Sequence, residues 1–132
     1  EQVGMAASAV AAHPCVREFL LGLQRGMAEK QNVLMDGRDI GTVVFPNAQL
    51  KIFLTASVEE RARRRYAEMV AKGQQVDLQQ LQADIAERDK QDSERAISPL
   101  RQAEDALLLD TSDMGISEVT EKILQLVQER AQ

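Results

Sequence analysis

Apolar positions along this chain switch between helical and strand spacing. Residues 1–11 are rich in Ala and other small side chains and read as a helix met partway along its length. Pro14 suits the first turn of a second helix, where its missing N–H would have no partner anyway. Val16, Phe19, Leu20, Leu23 and Met27 then recur every three or four residues and form one apolar face. Val33-Leu34-Met35 is a short apolar run ending at Asp36-Gly37 and predicts a buried strand. Leu50 to Leu54 predicts a second strand. Ser57 is placed to cap the next helix, with Glu59 and Glu60 near its positive end, and Gly73 stops that helix just after Lys72. Asp77 or a neighbour starts a further helix carrying Leu78, Leu81 and Ile85, which should break near Pro99. Ala106 to Leu109 predicts a third strand, closed by Asp110-Thr111-Ser112. Ser117 is the expected cap of a last amphipathic helix through Val119, Ile123, Leu126 and Val127.

Short, continuously apolar strands separated by helices predict an α/β fold with a parallel sheet covered on both faces. Three strands make a small sheet of that kind, and the opening helix has no visible start. Both features suggest that an N-terminal part of the fold lies outside this sequence. The 132 residues are 44% hydrophobic and 28% charged, which predicts one domain, or part of one, with a real core and excludes global disorder. A domain of this size buries roughly two-thirds of its unfolded surface. No apolar run approaches the roughly 20 residues that cross a bilayer, and the first residues show no signal-peptide pattern. One cysteine, Cys15, excludes an internal disulfide, and one histidine, His13, leaves no soft metal cage. Both flank Pro14, where a role in starting the helix outweighs catalysis. The expected compartment is the cytoplasm.

The net charge of −5 argues against a surface built to grip duplex nucleic acid or an anionic membrane. Among the basic residues, however, arginines outnumber lysines eleven to five. A guanidinium offers a planar fork that matches phosphate oxygens, so a local pocket for a small phosphorylated ligand is compatible with the acidic whole. Three segments are candidates. Asp36-Gly37-Arg38-Asp39-Ile40-Gly41-Thr42 directly follows a predicted strand, where ligands bind in open α/β sheets; it could equally be a polar turn with a local Asp–Arg pair. Arg88, Asp92 and Arg95 share one helix face, as an ion-pair ladder or as a phosphate grip steadied by a carboxylate. Arg61, Arg63, Arg64 and Arg65 crowd one helix, as a solvated face or as a clamp on a polyphosphate. No G-x-x-x-x-G-K-[ST] occurs, so the chain cannot build a phosphate-cradling P-loop by itself.

Taken together these segments resemble bacterial cytidylate kinases. The resemblance is carried by Asp-Gly-Arg-Asp-Ile-Gly-Thr at 36–42 with Phe45-Pro46-Asn47-Ala48 and Lys51-Ile52-Phe53-Leu54 behind it. It continues through Ser57-Val58-Glu59-Glu60-Arg61-Ala62-Arg63-Arg64-Arg65-Tyr66 and Arg88-Asp89-Lys90-Gln91-Asp92-Ser93-Glu94-Arg95, then Ser98-Pro99-Leu100 and Asp110-Thr111. It implies a P-loop nucleoside monophosphate kinase-like fold that moves the γ-phosphoryl of ATP to CMP or dCMP with Mg²⁺. It implies Ser8, Arg17 and Asp39 around the cytosine and Arg38 on the acceptor phosphate. Arg88, Asp92 and Arg95 would serve the ribose and phosphates as catalytic residues, and Arg61, Arg64 and Arg65 a lid over ATP with its tip near Gly73. No metal ligand is identified in this chain.

The family's P-loop and first strand would lie upstream of Glu1, so the resemblance implies the C-terminal portion of one kinase domain, inactive alone and monomeric when complete. Residues 1–30 would be helices of the CMP-binding region, 31–56 and 101–132 core, and 57–100 the lid and its helices. Two other functions fit the residues: a non-catalytic module that binds pyrimidine nucleotides, and a structural α/β domain whose charged motifs are ion-pair decoration. An in-frame G-x-x-x-x-G-K-[ST] upstream of Glu1 would decide for the enzyme.

Overall fold

The computed structural model describes residues 2–11 and 13–131, without the side chains of residues 2–5, 8 and 131. Five α-helices, two strands and one π-helical turn follow one another in the order α1 (Gln2–Ala11), α2 (Pro14–Ala28), the turn (Ile40–Val44), β1 (Ile52–Thr55), α3 (Val58–Ala71), α4 (Leu78–Glu94), β2 (Leu107–Asp110) and α5 (Ile116–Ala131). The strands pair in parallel, Ile52 opposite Leu107 and Thr55 opposite Asp110, and α3 packs on α4. This is an α/β arrangement consistent with part of a nucleotide-kinase fold.

Local chemistry explains the boundaries. Pro14 occupies the first turn of α2. The Ser57 hydroxyl accepts from the Glu60 N–H at 3.1 Å, and the Asp77 carboxylate accepts from Gln80 N–H at 2.7 Å, so both helices carry a side-chain N-cap. Helix α3 ends as Gly73 takes φ +74°, a left-handed conformation that spares glycine the Cβ clash. Helix α4 ends at Glu94, five residues before Pro99, because Arg95 is already extended.

Three expectations are corrected. Residues 33–35 form no strand, and Leu34 is 88% exposed. A strand buried on both faces needs hydrogen-bonded neighbours, and among the described residues the sheet contains only β1 and β2. The last helix starts one residue before Ser117. Its end is closed from Glu118, whose carboxylate accepts the Gly115 N–H at 2.7 Å, the reciprocal half of a capping box. Third, the core is thin. Val44, Ala56, Ala62, Leu81 and Leu109 are its buried apolar residues, and no large side chain among the described residues is fully buried. The accessible surface is 10093 Å², against about 6,900 Å² for a compact monomer of this mass. The apolar face of α2 exists, but Phe19, Leu20, Leu23 and Met27 remain exposed along it. The sheet likewise leaves Leu54 and Leu108 open, although parallel sheets are normally covered.

Polar fastenings supplement this small core. Thr111, buried at the end of β2, donates its hydroxyl to Thr55 O at 3.0 Å, and its N–H reaches the same oxygen at 2.8 Å. Lys51 is buried beside β1, and its ammonium donates to Pro46 O and to the Asp105 carboxylate, the latter at 2.7 Å. That bond from Lys51 lowers the pKa of Asp105. A carboxylate whose pKa falls on folding stabilises the fold above its unfolded value, about 3.9, and ceases to as pH drops through its folded value. In a carboxyl-carbon NMR titration, Asp105 should therefore titrate below the ordinary aspartate range, and Lys51→Met should return it there. An unchanged midpoint in the variant would show that Lys51 does not hold this carboxylate.

Candidate functional site

The segment after the 33–35 run turns sharply around two glycines. At Gly37 a Cβ would stand 2.9 Å from the Ile40 side chain, so the close path there favours glycine. The chain then winds into the π-helical turn, closed by Val43 N–H to Asp39 O at 2.8 Å and Phe45 N–H to Ile40 O at 2.7 Å. Turns of this width are rare and concentrate at functional sites. Arg38 and Asp39, at the entrance of this one, reach partners on two different helices. Asp39 takes a hydrogen bond from the Arg17 guanidinium on α2, and the two side chains are only 14% and 22% exposed. Arg38 crosses to α4, its Nε donating to the Asp92 carboxylate at 2.9 Å.

Asp92 collects more than Arg38. Arg88 Nε lies 3.9 Å from one of its oxygens and Arg95 Nη1 lies 3.8 Å from the other. These are ion-pair distances, longer than hydrogen bonds. Three guanidiniums thus surround one carboxylate that is 14% exposed, leaving a local charge of +2. Arg95 sits just past the end of α4, yet it still faces Asp92. Its Nε donates to Ser98 O at 2.5 Å, and Ser98 adopts a left-handed φ of 50°, rare for a residue with a Cβ. Leu100 N–H returns to Asp92 O at 2.8 Å and closes that loop against the helix. The cluster differs from a surface ladder because its tightest partner, Arg38, comes from 54 residues away in the sequence.

The arginines of α3 do not join it. Arg61 grips Asp89 of α4 through both nitrogens at 2.9 and 2.5 Å and donates its Nε to Ala56 O at 3.0 Å. Its hydrogen bond to Asp89 raises its pKa, against the opposing effect of burial. Arg64 binds Glu60 at 3.0 Å, the Thr111 hydroxyl at 3.1 Å, the Thr111 carbonyl and Met114 O. Arg65 pairs with Glu68 at 3.0 Å on the open face. Ser8 lies in α1, with its side chain outside the described residues. His13 starts α2 without a side-chain cap bond, and Cys15 is exposed. A shallow groove of about 450 Å³ along the end of α2 is lined by residues that include Gly22, Leu23, Gly26, Met27, Glu29 and Lys30, and by none of the site residues. Among the described residues, no three His, Cys, Asp or Glu side chains are placed to hold a metal ion. No described helix is long and apolar enough to cross a membrane.

Sequence spacing alone missed Asp89, Ser98, Lys51 and Arg25. Asp89 and Ser98 belong to segments already singled out, but their partners are set by folding. Arg25 offered a faint signal, since it shares α2 with Arg17.

An α/β frame that brings arginines from a loop and a helix onto one carboxylate is consistent with part of a nucleotide-kinase fold. The family model described as cytidylate kinase matches residues 1–129, and the chain belongs to that family. It is 54% identical over 130 residues to a cytidylate kinase of Geobacillus sp. strain WCH70, covering 98% of this chain and 58% of that protein. It is 53% identical over 131 residues to one from Syntrophotalea carbinolica, covering 99% of this chain and 56% of the relative. A Pseudomonas aeruginosa (strain LESB58) cytidylate kinase is 57% identical over 125 residues, 95% of this chain and 55% of its own length. The chain therefore spans less than three-fifths of the relatives it matches.

The two kinds of arginine should separate in stability measurements. Replacing Asp89 by Ala should lower the unfolding free energy of the complete protein by about 1 kcal/mol, the worth of a charged hydrogen-bonded pair reduced for its partial exposure. Arg65→Ala should stay within about 0.5 kcal/mol. Denaturant midpoints check both. Equal losses would mean that Arg61 is only another surface pair.

Proposed function

We propose that this chain supplies the acceptor-nucleotide site and the helical lid of an enzyme that transfers the γ-phosphoryl group of ATP to CMP or dCMP, giving CDP or dCDP. The observation that supports this most is the convergence of Arg38, Arg88 and Arg95 on Asp92, next to the Arg17–Asp39 pair. The local charge of +2 complements a nucleotide phosphate of about −1.5 to −2. Guanidinium forks suit its oxygens and hold it in line for transfer, which is mostly positioning and charge neutralisation. An acceptor phosphate oxygen forms the new bond to the γ-phosphorus as the bond to the β–γ bridging oxygen breaks and ADP leaves.

Asp92 keeps the three arginines apart and directed until the phosphate arrives, then serves the ribose hydroxyls. Asp39 accepts from the cytosine amino group, and Arg17 donates to the base's acceptor edge. Ser8 joins them on the strength of the family resemblance. Arg61, Arg64 and Arg65 reach ATP phosphates only by exchanging their present carboxylate and carbonyl partners during lid closure. When bound with ATP, Mg²⁺ would neutralise phosphate charge. The complete protein acts as a monomer in the cytoplasm.

The 132-residue chain alone should show no CMP-dependent ATP turnover, because it holds no G-x-x-x-x-G-K-[ST] loop for the β- and γ-phosphates. Turnover above a buffer blank, from material shown free of host kinase, would overturn that. In the complete protein, Asp39→Ala should weaken CMP use by roughly 1.5–3 kcal/mol with ATP affinity little changed. Arg88→Ala should lower kcat/KM for CMP ten-fold or more, about 1.4 kcal/mol per decade, at an unchanged Tm. Steady-state kinetics with each substrate varied check both. Cytidine nucleotides that bind without phosphoryl transfer would favour the non-catalytic module, and near-wild-type kinetics for both variants a purely structural role.

A further inference from the structure

Arg25 is used by none of the chemistry above, yet it makes specific long-range contacts with the site's supporting loop. It lies in the last turn of α2 and is itself exposed. Its Nε donates to Val44 O at 3.0 Å and its Nη2 to Val43 O at 2.8 Å. Those carbonyls stand at the end of the π-helical turn, where the last C=O groups of any helical segment lack partners within it. One planar guanidinium therefore closes the turn from outside. At the opening of the same turn, Asp39 both accepts from Arg17 and contributes the carbonyl that takes the Val43 N–H. Arg17 and Arg25 are eight residues apart on α2, about 12 Å along the axis. The helix thus grips the turn at both ends.

We infer that Arg25 is a positioning residue for acceptor recognition: it fastens the turn so that Arg38 points to Asp92 while Asp39 points to the base. This rests on the acceptor-site reading above. The two side chains leave adjacent residues for partners on two different helices, so small rotations of the turn misplace both at once. Losing the clamp frees the turn's far end, and the acceptor nucleotide must then order it on binding. The burden falls on CMP, not on ATP. A lysine would restore the charge but cannot present two coplanar donors to two carbonyls.

The test uses the complete protein carrying Arg25→Ala and, separately, Arg25→Lys. Arg25→Ala should lower kcat/KM for CMP about ten-fold or more, chiefly through KM for CMP, with KM for ATP unchanged. Discrimination between CMP and UMP should narrow, and Arg25→Lys should recover only part of the loss. Amide hydrogen exchange at Val43, Val44 and Phe45 should quicken in Arg25→Ala while α4 amides keep their rates. Equal rises in KM for both substrates, a lowered Tm with unaltered KM for CMP, or full rescue by lysine would overturn the inference. Should Arg25→Ala fail to fold, wild-type kinetics and exchange in Arg25→Lys would overturn it equally. If the wild-type protein does not phosphorylate CMP, the acceptor-site reading fails, and the exchange rates alone then decide whether Arg25 clamps the turn.

Discussion

One carboxylate holds the polar half of this structure together. Among the described residues Asp92 is the carboxylate that Arg38, Arg88 and Arg95 share as an ion-pair partner, and it ties a loop, a helix face and a helix end into one place. Without it, three guanidiniums would repel one another across a few ångströms. With it, they are spread, oriented and still short of neutrality. That incomplete neutralisation is what the proposed phosphate role depends on, because a dianion would gain more from a cluster left positive than from a fully paired network. The long Arg88 and Arg95 distances agree with this, since neither arginine is committed to a hydrogen bond with the carboxylate.

The rest of the chain supports that centre with unusually little apolar burial. Two strands and a few buried aliphatic side chains form the core, and polar fastenings add to the alignment of its elements. Arg61 bound to Asp89 fixes α3 on α4, Thr111 locks the end of β2 to β1, and Lys51 spans from Pro46 to Asp105. Each contact also bears indirectly on the site. Position the α4 backbone differently and Asp92 moves, and shift the segment before β1 and the π-helical turn moves with it. The relatives are nearly twice as long as the part matched here. Exposed Phe19, Leu54 and Leu108 show where further apolar cover would be consistent with a complete domain.

Much of the fold was legible from short-range chemistry. Pro14, Ser57, Gly73 and Asp77 act through neighbours within four residues, so their helix boundaries are readable from sequence. Residues 33–35 show the limit of that method: their composition suits a strand, but a strand exists only through partners. Gly115 displaced Ser117 as the helix start because Glu118 completes the cap, a contest that spacing alone does not resolve. In the site, the Arg88–Asp92 relation followed from helix geometry. Arg38 reaching Asp92, and Arg17 reaching Asp39, depend on how distant segments meet. Sequence similarity to the family pointed to those residues, while only the folded chain showed what each one touches.

The most direct measurement is a crystal structure of the complete protein with CMP bound. The account predicts phosphate oxygens about 2.7–2.9 Å from the guanidinium nitrogens of Arg38, Arg88 and Arg95, with Asp92 released from Arg38 and turned to the ribose. A phosphate bound elsewhere, with the Arg38–Asp92 pair intact, would contradict it.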